Sequence, residues 1–364
     1  VIKTPKKISD IQELLRARLQ KGEWEAGDRL PTDTDLAREL GCSVGTVSKA
    51  LGLLAHDGMV ARKPRVGTTV LGTSPSSLQL DAFAFIYPSD QHEGVSQMLH
   101  AFEAAARQKG RRLMMLPTGI EFDKESEIVL RLDEFDIQGA VACPVVSSPK
   151  EQLQFCQLLL KSKVPIVLAG LNLPGFSVAA VLMDDFHAGY ETTRHLLEKG
   201  CRRIGFLTNS SWSLGMRDRY SGYRKAMEEA GIEIQPSWVQ RNAETRVDIE
   251  HPTKESRAIA AQYLKSRPNV DALACGDVFM AIGVLEEAAR LGIRVPDDLK
   301  VTGIDDFEVA KNCKPSLTTY RTPFREIGEQ SFANLEALIT GGSKHPEAED
   351  ETLIRGSICA RGST

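Results

Sequence analysis

Two groups of residues in this 364-residue chain have types and spacings that could do chemistry. The first is Ser43, Thr46 and Lys49, followed by Arg62, Lys63, Arg65 and Gly67. Ser43 is a good helix N-cap. Val47, Ala50, Leu51 and Leu54 then recur at helical spacing, leaving Thr46, Ser48 and Lys49 on another face. The stretch MVARKPRVGTTVL alternates as a strand, turns through 63–67 and returns. A polar, weakly cationic helix followed by a basic-tipped hairpin is the geometry of a winged helix, which sets the helix in a major groove and the hairpin against phosphates or the minor groove. The same pattern would also serve a helical cap bearing ordinary surface charge.

The second group sits where apolar strands end. Asp277 follows DALACG and precedes the helical FMAIGVLEEAARLG, so it stands at a cleft edge where a carboxylate accepts hydroxyls, or it caps that helix. Asp184, Asp185 and Phe186 follow VAAVLM in the same way, and Ser89, Asp90 and His92 follow DAFAFIYP. Trp212 lies in the loop NSSWSLG. Arg219 carries a planar fork of five donors, suited to adjacent hydroxyls or a carboxylate, or to pairing with a nearby acid. Asp305 and Asp306 end LKVTGIDDF and are expected to hold a loop and the next helix terminus rather than a ligand.

No catalytic set emerges. There is no GxSxG elbow, since the one match, GCSVG at 41–45, stands between two helical patterns and not at a strand-to-helix turn; HExxH, the P-loop and an early dinucleotide fingerprint are missing, so the chain is not expected to be an enzyme and no cofactor is implied. His92, His100, His187 and His195 have no metal-ligand spacing. The cysteines Cys42, Cys143, Cys156, Cys201, Cys275, Cys313 and Cys359 are dispersed without a CxxC pair, which argues against a zinc site or disulfide scaffold and fits a reducing cytoplasm. VIKTPKKISD lacks a signal-peptide core and no apolar run approaches a membrane span, so a cytoplasmic chain without membrane contact is expected. The formal net charge is −4, yet the segment before Gly72 is positive by about three.

The elements that must position these residues fall into two textures. Residues 1–71 read as three short helices and a hairpin, with Pro31 and Thr32 opening the second helix and Gly41 closing it. The polar stretch GTSPSS marks a linker over 72–80. From 81 to 364 apolar strands alternate with amphipathic helices, the pattern of parallel sheets covered on both faces, and the length calls for two lobes with a cleft between them.

Residues 8–71 resemble the winged-helix domain of the GntR family through GDRLPTDTDLARELG, SVGTVSKAL and DGMVARKPRVGTTV in order. The resemblance implies a homodimer on a two-fold operator DNA, a recognition helix entering each major groove. The chain departs from the family at Thr34, Val44 and Ser48, where arginines are frequent, and at Arg65, which replaces the first glycine of the wing tip.

Residues 82–364 resemble the effector domain of the LacI family, itself similar to periplasmic sugar-binding proteins. The resemblance runs through MDDFHAGYETTRHLLEKGCRRIGFL, RYSGYRKAMEEAGI, ALACGDVFMAIGVLEEAARLGIRVPDDLKVTGIDD and PSLTTYRTPFREIG. Here Cys201 stands for the usual His and Gly276 for the usual Asn. The resemblance implies ligand contacts from Ser89, Asp90, His92, Asp185, Phe186, Trp212, Arg219 and Asp277, with Phe186 stacking on a sugar face or filling a core corner. It also implies crossovers near Cys201, Thr318 and 344–352, which divides the domain into a first lobe of about 81–200 and 318–344 and a second of about 201–317 and 352–364.

The reading is therefore an α/β chain, a winged helix-turn-helix head on a two-lobed periplasmic-binding-protein-like domain. Its expected function is a transcriptional regulator, a repressor under allosteric control by a sugar or related polar small molecule. The competing readings are a solute sensor without specific operator binding, and a regulator answering to a nucleobase, amino acid or sugar phosphate.

Overall fold

The computed structural model describes residues 8–25, 27–56, 59–63, 67–71, 82–171, 173, 178–243, 251–266, 268–341 and 351–364. Arg65 and the expected linker 72–80 lie outside the described residues. The chain divides into two units, Val1–Asp81 and Ala82–Thr364.

The first unit contains α1 (Ile8–Gln20), α2 (Asp33–Leu40), α3 (Val44–His56) and the antiparallel pair β1 (Val60–Lys63) and β2 (Gly67–Val70). Local chemistry sets the helix ends. The Thr32 hydroxyl accepts the Asp35 N–H, and Gly41 leaves α2 in the left-handed conformation at φ 66°. The apolar stripes of all three helices then meet: Ile11, Leu15, Leu36, Val47, Leu51 and Leu54 are buried together with Val60 and Val70 of the hairpin. This places α3 with one face inward and its Val44, Gly45, Lys49 and Gly52 outward.

In the second unit strands and helices alternate as β3 (Ala82–Tyr87), α4 (Glu93–Gln108), β4 (Arg112–Pro117), α5 (Phe122–Leu130), β5 (Gly139–Ala142), α6 (Pro149–Lys161), β6 (Ile166–Ala169) and β7 (Ala180–Met183). There follow α7 (Asp185–Glu198), β8 (Ile204–Thr208), α8 (Leu214–Glu229), β9 (Val239–Arg241), α9 (Lys254–Lys265), β10 (Ala272–Cys275) and α10 (Val278–Arg290). Then come β11 (Lys300–Ile304), α11 (Glu308–Asn312), β12 (Thr318–Arg321), α12 (Phe324–Thr340), β13 (Glu351–Ile354) and β14 (Ser357–Cys359). One sheet runs β13-β7-β6-β5-β3-β4, all parallel. The other runs β14-β12-β11-β10-β8-β9, parallel except for β12 with β14. The central strands are buried from end to end, as apolar runs covered on both faces require.

The lobe boundaries differ from the sequence expectation. Helix α7 packs on β10, β11, β12 and β14 and on α8, so the first crossover lies at Met183–Asp185 and not near Cys201. Strand β12 pairs with β11, which carries 318–321 to the second lobe, while β13 pairs with β7, which carries 351–354 to the first. The three crossovers run side by side. The Asp184 N–H donates to the Ile354 carbonyl at 3.0 Å, and the Thr322 hydroxyl oxygen lies 3.1 Å from the Met183 sulfur. Arg355 donates to Asp184 at 2.9 Å. Among the described residues no helix is long and apolar enough to cross a membrane.

Candidate functional site

The hairpin and α3 of the first unit are joined through one side chain. Arg62 on β1 donates from Nη1 to the Ser48 carbonyl at 2.7 Å and from Nη2 to Asp33 Oδ2 at 2.6 Å. It thereby ties the wing to α3 and to the start of α2, and its charge is met inside the domain. Ser43 accepts the Thr46 N–H at 3.1 Å, and the two hydroxyls lie 2.8 Å apart, so both serve the helix cap. Lys49 and Lys63 are exposed. Gly67 opens β2 at φ 110°, a backbone state that side chains resist, and so fixes the return of the hairpin.

In the second unit a cleft of about 1330 Å³ opens between the lobes at the carboxyl ends of their strands. The first lobe contributes Gln91, His92 and Glu93 after β3 and Ser147 and Ser148 after β5. The second contributes Asn209 and Trp212 after β8, Asp277 and Phe279 after β10, and Phe307 after β11. The lobes touch at the rim, where Glu93 Oε2 accepts the Glu308 N–H at 2.8 Å and the His92 ring lies edge-on to Phe307, centroids 5.3 Å apart.

Of the expected ligand residues, the cleft brings together His92, Trp212 and Asp277. Asp277 also caps α10, accepting the Met280 N–H at 2.7 Å, so the cap and a place in the cleft lining coexist in one residue. Burial holds its carboxyl above the usual range, against the Met280 N–H and Arg219, which pull it down. Ser89 is turned into its own loop, accepting the Gln91 N–H at 3.1 Å, and Asp90 is exposed; neither lines the cleft. Phe186 is 44% exposed on the first turn of α7 and does not face the cleft either.

Arg219 and Asp185 form a brace behind the cleft wall. The Arg219 Nε donates to Asp185 Oδ1 at 2.6 Å and its Nη1 to the Gly276 carbonyl, next to Asp277, at 2.6 Å. Burial opposes the guanidinium charge, yet Asp185, Asp305 and Asp277 around it raise its pKa. Glycines make the close approach possible: a Cβ on Gly189 of α7 would stand 1.9 Å from the Arg219 carbonyl oxygen. At Gly276 the obstacle is a side chain: a Cβ there would lie 2.3 Å from Thr208 Oγ1. Asp305 and Asp306 hold structure. Thr322 donates to Asp305 at 2.5 Å, and Asp306 receives Thr319, Arg321 and Arg361.

Sequence reasoning did not single out Asn209, Ser147, Phe279 and Phe307. Each follows a strand by one to five residues, the same signal that pointed to Asp277, but nothing in periodicity tells which loop side chain turns inward.

A winged-helix head on a two-lobed α/β domain with an open cleft defines an effector-controlled DNA-binding regulator. A family model described as "Bacterial regulatory proteins, gntR family" matches residues 7–70, and one described as "Periplasmic binding protein-like domain" matches 193–364. The chain thus joins a GntR-type head to a LacI/GalR-like periplasmic-binding domain, matching regulators of the GntR and LacI families, and is a sequence-specific DNA-binding transcriptional regulator. It is 26% identical over 365 residues to the arabinose metabolism transcriptional repressor of Geobacillus stearothermophilus, covering 99% of this chain and 98% of that one. It is 25% identical over 341 residues to the HTH-type transcriptional regulator DegA of Bacillus subtilis (strain 168), 91% and 97% of the two chains. The fold matches the solved structure of a transcriptional regulator CelR-cellobiose complex with a TM-score of 0.67 at 21% identity, over 92% of this chain and 100% of that one.

Proposed function

We propose that this chain is a homodimeric repressor, acting in the cytoplasm on a two-fold operator, whose cleft binds a neutral sugar or related polyol. The cleft lining carries the reading. Asn209, Ser147, Ser148, Glu93 and Asp277 offer hydroxyl partners, and Trp212, Phe279 and Phe307 offer flat apolar faces. Such a mixture suits a molecule with polar edges and an apolar ring face. Arg219 lies among three carboxylates, with Asp185 and Gly276 already engaging it, and is therefore not a seat for an anionic effector. The cleft lining itself sets Lys254 against the carboxylates of Glu93, Glu255 and Asp277, a balance that favours hydroxyl-bearing ligands over sugar phosphates and acids. The repressor of arabinose metabolism and the cellobiose complex among its relatives support the same class.

Ligand closing the cleft draws the lobes together about the three adjacent crossovers. Operator affinity then changes by the difference in ligand affinity between the DNA-competent and incompetent states. The test is a thermal-shift screen of the full chain over pentoses, hexoses, disaccharides, sugar phosphates and nucleobases, followed by operator titration with the best ligand. A selective shift by a neutral sugar that also changes operator affinity supports the reading. A shift confined to phosphates or nucleobases defeats it.

A further inference from the structure

The outward face of α3 has two features that the domain itself does not use. Gly45 and Gly52 stand two helical turns apart on that face, both exposed. A Cβ at Gly52 would meet nothing within 4 Å, and one at Gly45 only Ser43 Oγ at 3.9 Å. Neither has the positive φ that would require glycine. Glycine inside a helix lowers its stability, and no neighbour among the described residues offsets that loss here. Beside them Val44 leaves its isopropyl group 45% exposed on the first turn.

The hydroxyls nearby each have an internal partner, while Lys49, further along α3, is exposed. Ser43 and Thr46 satisfy the cap and each other, and Ser48 receives Arg62, whose other nitrogen is on Asp33. The first-turn side chain of α3 that projects outward with no internal tie among the described residues is the isopropyl group of Val44. In the major groove the edges of guanine, cytosine and adenine present donors and acceptors, which an isopropyl group would desolvate without pairing. Thymine presents a 5-methyl group.

We propose that Val44 is a specificity-determining contact that reads the 5-methyl group of an operator thymine, with Gly45 and Gly52 letting the α3 backbone approach the groove closely; the proposal rests on the operator-binding reading above. The side-chain-free positions and the apolar reader are then one device. Bare glycines bring the backbone near, and a short β-branched side chain, which has little rotamer freedom in a helix, reaches the methyl without a long flexible arm.

The test uses the full chain and a duplex that it selects from random sequence, with each thymine replaced in turn by deoxyuridine, which lacks only the methyl group. The expected result is one thymine per half-site whose replacement weakens wild-type binding about fourfold, as burial of one methyl predicts. Val44→Ala binds the thymine and deoxyuridine duplexes equally. Gly45→Ala moves two readouts in opposite directions, raising the thermal unfolding midpoint while weakening operator binding at least tenfold. Deoxyuridine losses of the same size in wild type and Val44→Ala overturn the proposal, as does Gly45→Ala binding as tightly as wild type. A chain that selects no sequence at all overturns the operator reading as well, and that outcome appears before any thymine is replaced.

Discussion

Arg219 Nε donates to Asp185 Oδ1 at 2.6 Å, and the two residues come from α8 and α7, helices that touch backbone to backbone at Gly189. Their side chains keep only 12% and 22% exposure. Removing the carboxylate charge leaves a buried guanidinium with one carbonyl partner and the more distant Asp277 and Asp305. Asp185→Asn is expected to cost about 2 kcal/mol of stability in urea denaturation, less than a fully dry pair because water reaches the carboxylate. Arg219→Lys keeps the charge but cannot hold Asp185 and Gly276 together with one ammonium. It should weaken binding of the best sugar about tenfold by calorimetry while costing less stability than Asp185→Asn.

The helix contact beneath that pair makes a separate prediction. A Cβ at Gly189 would sit 1.9 Å from the Arg219 carbonyl oxygen, and one at Gly222 would sit 2.1 Å from the Phe186 carbonyl oxygen. Both obstacles are backbone, so the helices themselves must separate. Gly189→Ala and Gly222→Ala should each lower stability by about 3 kcal/mol. Urea midpoints within error of wild type would mean that α7 and α8 slide apart freely.

Arg62 and Lys49 should separate in their salt dependence. Arg62 is bound to Asp33 and Ser48, so Arg62→Ala loosens the wing and weakens operator binding, but leaves the slope of log affinity against log salt nearly unchanged. Lys49 is exposed on the outward face of α3, and Lys49→Ala should reduce that slope by about 0.9 for each phosphate left without its cation. Titrations over a series of chloride concentrations decide between them, and equal slope changes in both variants would remove the positioning role of Arg62.

Local chemistry was legible in the sequence where a residue acts on its neighbours. The Thr32 cap, the Gly41 exit, the Ser43 cap and the strand ends that border the cleft all lie within a few residues of their partners. Long-range pairing was not. The tie from Arg62 to Asp33, 29 residues away, leaves no mark in local spacing. Phe186 and Phe307 both follow strand-ending aspartates, but only Phe307 turns into the cleft, because the loop geometry rather than residue type sets the direction. The lobe crossovers were misplaced for a related reason. The contact surface of α7 on the second lobe is made by small residues such as Ala188 and Gly189, which leave no strong apolar period to read.

A buried carboxyl in the first lobe gives the protein a pH dependence of its own. Glu125 on α5 is 1% exposed; its Oε2 accepts the Val145 N–H at 3.3 Å, and its Oε1 has no hydrogen-bond partner among the described residues. Burial pushes its pKa from 4.5 to about 8, with the Val145 N–H pulling down and Glu151 on α6 pushing up. Cys143 at the end of β5 faces the same space and stays a thiol, pushed to about 12 by burial and then by Glu125. Because the folded pKa lies above the unfolded one, the folded chain binds more protons between pH 4.5 and about 8. The contribution of Glu125 to stability is therefore whole below pH 4.5, declines as pH rises toward about 8, and is constant beyond it. Glu125→Gln cannot ionise and escapes the decline. It should match wild type near the acid end and exceed it by on the order of a few kcal/mol at the alkaline end. Urea midpoints of both proteins across that range test the sign, and a difference that does not grow with pH would show that Glu125 is ionised in the folded chain throughout.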